Sequence, residues 1–263
     1  MKKSFIKGIA LSAVVAVSSL QAEAPKSAEH NASGEKSHHK HFGYIGNVAP
    51  AHWGELNPKF KMCSEGKQQS PINIIPTKKG NLSPLDISYK TASKSIINNG
   101  HSIQVNIEDG SVLKLDGKDF KLKQFHFHVP SENNINGNKF PLEAHFVNVA
   151  DDGQIAVIGV MFKYGKENPT LAKIWNELPS LKEGEAKEFK LGSEDINKLL
   201  PKEREYYKFM GSLTTPPCSQ NVKWQIFKTP LEVSKEQIDK FFSQFSFPNN
   251  RPIQPTNDRD ILE

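Results

Sequence analysis

The segment Lys121-Leu122-Lys123-Gln124-Phe125-His126-Phe127-His128 ends in an unbroken polar–apolar alternation, and in an extended strand successive side chains leave opposite faces. Gln124, His126 and His128 therefore share one face, and Phe125 and Phe127 the other. Such a strand fits a sheet that rests one face on an apolar layer and presents imidazoles from the other. The same period runs through Leu142-Glu143-Ala144-His145-Phe146-Val147, placing Glu143, His145 and Val147 on a common face. If the two strands are neighbours, His145 completes a triangle with His126 and His128.

Short alternating strands dominate the rest of the chain. Residues 101–107 alternate, Glu108-Asp109-Gly110 reads as a turn, and residues 111–115 as the returning arm of a hairpin. Asp151-Asp152-Gly153 is expected to join residues 142–149 to 154–162. Two helices interrupt the pattern. Asn168 caps the first, Pro169 opens it, and Leu171, Ile174, Trp175 and Leu178 form its apolar stripe. Ser234 and Gln237 form a capping box for the second, ahead of Ile238, Phe241, Phe242 and Phe245. Both stripes read as core. From Phe42 onward there is no repeat, long linker or shift of composition, so residues 42–263 are expected to form one domain. Its class is mainly β (α+β): a large, central, mostly antiparallel twisted sheet with a few peripheral helices.

The N-terminus is different in kind. Lys2, Lys3 and Lys7 precede an apolar run of 12 residues from Ile9 to Leu20 and the small-x-small triplet Ala22-Glu23-Ala24, the pattern of an export signal at residues 1–24. The alternative, a membrane anchor, needs about 20 apolar residues. A periplasmic or secreted protein with no membrane span after cleavage is expected. Setting aside the three lysines and Glu23 lowers the net charge from +5 to +3, too little for a phosphate-backbone reader, so nucleic acid is an unexpected partner. Residues 25–41 carry no large apolar side chain and are expected to be a mobile tail. Their His30, His38, His39 and His41 either buffer zinc or another soft cation or form an inert tether.

Cys63 and Cys218 are the only cysteines, and in an exported protein two cysteines usually pair. Two buried free thiols are the alternative.

Three neutral imidazoles suit zinc and leave its full charge on an open fourth position. Each metal-bound imidazole also needs an acceptor for its second nitrogen, and Gln124 and Glu143, each two residues before a histidine on the same face, are candidates. Histidines that only hydrogen-bond within a half-buried strand are the plain alternative. A second metal class fits locally: His126-x-His128 followed by Glu132 matches the first motif of cupins, which often hold iron or manganese. A cupin's second motif is glycine-rich and ends in His with Asn four residues on, whereas Asn148 follows His145 by three and the preceding Phe140-Pro141-Leu142-Glu143 carries no glycine.

Over residues 43–259 the chain resembles the alpha-class carbonic anhydrases. The resemblance rests on the order and spacing of Gln69-Ser70-Pro71-Ile72-Asn73-Ile74, Asn98-Asn99-Gly100-His101, Gln124-Phe125-His126-Phe127-His128, Ser131-Glu132-Asn133, Glu143-Ala144-His145-Phe146-Val147, Gly211-Ser212-Leu213-Thr214-Thr215-Pro216-Pro217-Cys218 and Asn250-Arg251-Pro252. It implies one zinc ion on His126, His128 and His145 and the reversible hydration of carbon dioxide to bicarbonate and a proton. The nucleophile would be a zinc-bound hydroxide, from a water whose pKa falls from about 15.7 to about 7, a magnitude established on carbonic anhydrase itself. Thr214 would accept from the hydroxide and donate to Glu132, a pairing consistent with one hydroxyl proton and two lone pairs. Thr215 would help place substrate against an apolar wall of Val147, Val157, Leu213, Val222 and Trp224. His101 matches the family's proton shuttle, an imidazole whose ordinary pKa near 6.5 suits it to accept and release at neutral pH; Tyr44, Asn99 and Gln104 match positions that order the relay waters. The family's exported members also imply a Cys63–Cys218 disulfide. A homodimer is one expectation for the assembly.

The chain departs from the pattern in three places. Phe209 and Met210 stand where animal members often carry Tyr-Pro, Asn148 stands where many have His, which would take a polar partner from the metal-bearing strand, and the His-rich tail has no counterpart. None of these touches the ligands, Thr214 or Glu132.

Overall fold

The computed structural model describes residues 41–263. The expected export signal and tail residues 25–40 lie outside them. Thirteen strands form the body: β1 (Asn73–Ile74), β2 (Asp86–Ser88), β3 (Ser93–Asn98), β4 (Ile103–Ile107), β5 (Val112–Leu115), β6 (Lys118–His128), β7 (Asn134–Ile135), β8 (Leu142–Val149), β9 (Ile155–Tyr164), β10 (Ala186–Glu188), β11 (Tyr206–Ser212), β12 (Gln220–Phe227) and β13 (Leu231–Val233). Five helices accompany them: α1 (Trp53–Leu56), α2 (Met62–Glu65), α3 (Pro169–Trp175), α4 (Ser193–Lys198) and α5 (Lys235–Phe245). One large sheet runs β10-β3-β4-β6-β8-β9-β12-β11, with β2, β5 and β13 at its flanks. It is antiparallel except where β12 and β13 pair parallel to β9. Among the described residues no helix is long and apolar enough to cross a membrane.

Residues 142–164 form the expected hairpin, β8 and β9 pairing from Leu142↔Phe162 to Val149↔Ile155, with Gly153 at φ +83° in its turn. The hairpin expected at residues 108–110 does not form. β4 and β5 both run antiparallel to β6 and make one interrupted strand along it. The segment between them is stitched sideways instead: Ser111 Oγ accepts from Lys90 and Thr91 N–H, and Thr91 Oγ1 donates to the Glu108 carbonyl. The reversal comes one turn later at Asp116-Gly117, both at positive φ (50° and 75°) between paired Leu115 and Lys118. That is the geometry a two-residue hairpin of matching twist requires.

Both helix starts form as their caps dictate. Asn168 accepts from Thr170 and Leu171 N–H, and Ser234 and Gln237 make a reciprocal capping box. α3 ends at Trp175, so Leu178 packs from a following 3-10 turn. α5 buries Ile238 and Phe241, whereas Phe242 is largely exposed and leaves the expected stripe. These helices cover the sheet face that carries Phe125, Phe127 and Phe146, leaving the other face for the histidines.

Candidate active site

The register of β6 against β8 sets His126 directly opposite His145, and His128 opposite Glu143. Period two then carries His126, His128 and His145 to one face, where one ring nitrogen from each lies within 4.8 Å of the others. The backs of the rings are held by other groups. His126 Nδ1 donates to Gln124 Oε1 (2.8 Å) and His128 Nδ1 to the Asn249 carbonyl (2.7 Å). His145 Nε2 lies 2.9 Å from Glu143 Oε1, although the contact is angled away from ideal hydrogen-bond geometry. The nitrogens left for a common ligand are Nε2 of His126 and His128 and Nδ1 of His145. His128 Nε2 is buried with no hydrogen-bond partner. Burial drives the basicity of all three imidazoles down, that of His126 and His145 most strongly. Each is therefore a neutral lone-pair donor at pH 7, the donor set zinc prefers.

Gln124 and Glu143 stand behind the rings of His126 and His145, and Glu143 makes further bonds. Its carboxylate accepts from Glu132 N–H, Asn133 N–H and Asn133 Nδ2, each at 2.8 Å, and so fixes the segment carrying Glu132. Space for it exists because residue 159, opposite His145 on β9, is glycine: a Cβ there would lie 3.2 Å from Glu143 Oε1 and 2.4 Å from Ile226 Cδ1. Glu132 is fully buried. Its Oε1 accepts from Arg251 N–H at 2.8 Å, and its Oε2 lies 3.4 Å from His128 Nε2. Burial pushes its pKa up to about 8, opposed by the Arg251 N–H, the Thr214 side chain and the Arg251 charge.

Thr214 and Thr215 follow β11 on a loop pinned from several sides. Leu213 N–H donates to the Ser219 carbonyl, Cys218 N–H to the Thr215 carbonyl, and the Cys63–Cys218 disulfide ties the loop to α2. No free cysteine remains. Val157, Val222 and Trp224 are buried in one cluster against which Val147 and Leu213 pack, and Trp224 meets the His145 ring edge-on at 4.9 Å. Phe209 stacks behind Trp224 with rings 3° from parallel, so this departure adds to the wall. Asn148 points into the opposite layer, accepting from Tyr89 Oη at 2.9 Å. It therefore takes no polar partner from the histidine-bearing face, contrary to the sequence reading.

His101 lies in the turn two residues before β4, the strand beside β6, and is linked to the ligands through Asn249, whose Nδ2 donates to the His101 and Phe127 carbonyls. Gln104 lies opposite His126 and donates to Asn106 Oδ1. Tyr44 faces His101 edge-on at 6.1 Å with its hydroxyl buried and unpartnered. Asn99 spends its Oδ1 on the His101 and Ser102 N–H groups, which leaves only its Nδ2 for solvent. His101 itself departs from the sequence expectation. Burial, and then the nearby His41, lower its pKa to about 4 rather than leaving it near 6.5.

Three contributors escaped the sequence reading. The Asn249 carbonyl lies 121 residues from His128, and a backbone acceptor leaves no residue-type signal. Arg251, 2% exposed, donates its guanidinium to Gln69 Oε1, the Ser70 carbonyl and the Cys63 carbonyl; the Asn250-Arg251-Pro252 block marked it without giving it a role. His41 stacks on His101, where the sequence placed only a tail.

Comparison with known proteins agrees with this geometry. The family model for eukaryotic-type carbonic anhydrase matches residues 48–263. A carbonic anhydrase of Pectobacterium carotovorum is 48% identical over 222 residues, covering 84% of this chain and 90% of its own, and one of Neisseria gonorrhoeae is 45% identical, covering 86% and 88%. The solved alpha-carbonic anhydrase of Thermovibrio ammonificans, in complex with sulfanilamide, superposes with a TM-score of 0.80 at 46% identity over 85% of this chain and 99% of that one. The cupin alternative fails against both the open sheet and these matches. With the sheet, the histidine triad and the matches in agreement, the chain belongs to the eukaryotic-type, or alpha, carbonic anhydrase family.

Proposed function

We propose that His126, His128 and His145 hold one zinc ion and that the chain uses it to interconvert carbon dioxide with bicarbonate and a proton. The observation that carries this reading is the triad itself: three neutral imidazoles whose ligand atoms lie within 4.8 Å of one another, with Gln124, Asn249 and Glu143 at their far nitrogens. Zinc in such a site supplies Lewis acidity that makes a water nucleophilic at neutral pH.

The protein's own groups orient that chemistry. Thr214 accepts a hydrogen bond from the nucleophile and donates its own hydroxyl hydrogen to Glu132 as a hydrogen bond, and Arg251 and Glu143 keep Glu132 from turning. Val147, Val157, Leu213, Val222 and Trp224 seat a nonpolar gas molecule, and Thr215 with the Thr214 amide places bicarbonate. The product proton leaves past Tyr44, Asn99 and Gln104 toward the mouth at His101. A Cys63–Cys218 bridge suits an oxidising compartment, in keeping with an export signal at residues 1–24 and a periplasmic or secreted protein; N-terminal sequencing of the exported form tests this. The sulfanilamide bound by the Thermovibrio relative offers a probe of the same cavity. The deciding experiment replaces His126 by Ala and follows zinc content and stopped-flow hydration together. Loss of both, with sulfanilamide inhibiting the parent, is expected; full zinc and full rate in the variant would refute the assignment.

A further inference from the structure

The pairing of Thr214 with Glu132 joins two segments that the sheet does not hold together. Thr214 follows β11, whereas Glu132 lies between β6 and β7, strands with which β11 does not pair. A hydroxyl that accepts from a nucleophile and donates to a carboxylate tolerates little drift between the two, since a misplacement of about 1 Å can cost roughly 10²-fold in rate. Contacts outside the sheet must set their spacing.

Those contacts converge on Gln69 and Arg251, which are 3% and 2% exposed. Gln69 Nε2 donates to the Cys218 carbonyl at 3.0 Å, on the loop that carries Thr214. Gln69 Oε1 accepts from Arg251 Nη1 at 2.8 Å, and the Arg251 backbone N–H donates to Glu132 Oε1 at 2.8 Å. A guanidinium has no acceptor, so the Gln69 amide can face it only with its oxygen, and its nitrogen turns to the loop. Room for that nitrogen exists because residue 66 is glycine: a Cβ there would lie 2.4 Å from Gln69 Nε2. Cys218, the residue so gripped, has φ +55°. That left-handed conformation costs a non-glycine residue about 1–3 kcal/mol and persists only where its surroundings hold it.

The disulfide is a second route over the same ground. It ties Cys218 to Cys63, and the Cys63 carbonyl accepts from Arg251 Nη2 at 2.7 Å. Both routes from the loop to Glu132 therefore pass through Arg251, and the shorter one runs through Gln69.

We propose that Gln69 is a positioning residue for the hydration reaction: by bridging the Cys218 carbonyl and the Arg251 guanidinium it holds the Thr214 loop at the distance from Glu132 that the Thr214 hydroxyl needs. This rests on the carbon dioxide hydration reading above. Gln69 acts through Thr214 and Glu132, so its removal should be felt only where the Thr214 hydroxyl is present.

The test is a double-mutant cycle with Thr214→Val. Gln69→Met keeps the volume and loses both bonds. Gln69→Glu still accepts from Arg251 but cannot donate to the Cys218 carbonyl, and it serves if the methionine variant does not fold. In the parent background either change should lower kcat/KM by roughly 10-fold or more. Zinc affinity, read by chelator competition, should stay at the parent value, because the contacts behind the three histidines at Gln124, Asn249 and Glu143 remain. In the Thr214→Val background the same change should cost less than about 2-fold. Equal losses in both backgrounds, as general loosening would produce, would overturn the proposal, and so would a parent-like kcat/KM in the single variants. A second readout needs no activity: in the zinc-free protein the NMR signal of the Thr214 methyl should shift or broaden in the Gln69 variants, and an unchanged signal would also overturn the proposal. A zinc-loaded parent with no hydration would refute the hydration reading and the catalytic part of the proposal with it, while the methyl signal still decides whether Gln69 sets the loop.

Discussion

Replacing Cys63 and Cys218 together by serine should cost about 5 kcal/mol of unfolding free energy. The bridge closes a loop of 155 residues, and the chain-entropy relation for cross-links gives about that figure for so long a loop. Against a typical total of about 5–15 kcal/mol, this is a large share. Equilibrium urea unfolding of parent and variant measures it, with both proteins metal-free so that zinc linkage does not enter. Activity should suffer less than stability. Gln69 Nε2 still donates to the Cys218 carbonyl (3.0 Å) and Arg251 to the Cys63 carbonyl (2.7 Å), so both ends of the broken bridge stay near their places in the folded state. A variant within 1 kcal/mol of the parent would refute the unfolded-state argument. Equal stability with lost hydration would instead assign the bridge to holding the Thr214 loop.

Three further outcomes follow from the site. Gln124→Ala removes the acceptor that fixes His126 and should weaken zinc binding roughly 10- to 100-fold, as competition with a chelator would show. Thr214→Val keeps the shape but removes the hydroxyl; it should lower kcat/KM by about 10²-fold or more while zinc content, followed by metal analysis, stays at the parent value. Because the folded pKa of His101 lies near 4, below its unfolded value near 6.5, the unfolded chain binds more protons between those limits. This contribution to stability is complete above about pH 6.5 and is lost as pH falls toward 4. His101→Phe should therefore flatten the pH dependence of the urea midpoint in that window, and an unchanged slope would contradict it.

The histidine-bearing strands were legible because their period is simple and their two faces have opposite chemistry: Phe125 and Phe127 needed a core, and His126 and His128 could not share it. The apolar wall was legible only through the family, since Val157 and Val222 alone look like any buried valine. Turn chemistry misled at residues 108–110, where a glycine-containing triplet competed with Asp116-Gly117 and lost to side-chain bonds from Thr91 and Ser111. What stayed hidden depends on long-range backbone contacts. The Asn249 carbonyl and the Arg251 N–H reach His128 and Glu132 only after the chain has folded. The stack of His41 on His101 joins residues that no local pattern connects.

Three histidines on adjacent strands are proposed to make a zinc centre that hydrates carbon dioxide. Its most direct test is a stepwise zinc titration of the chelated protein with stopped-flow hydration measured at each step. The rate should rise linearly and stop at one zinc per chain, with His145→Ala showing neither the breakpoint nor the rate. One zinc bound tightly with no hydration, or hydration that survives in His145→Ala, would contradict it.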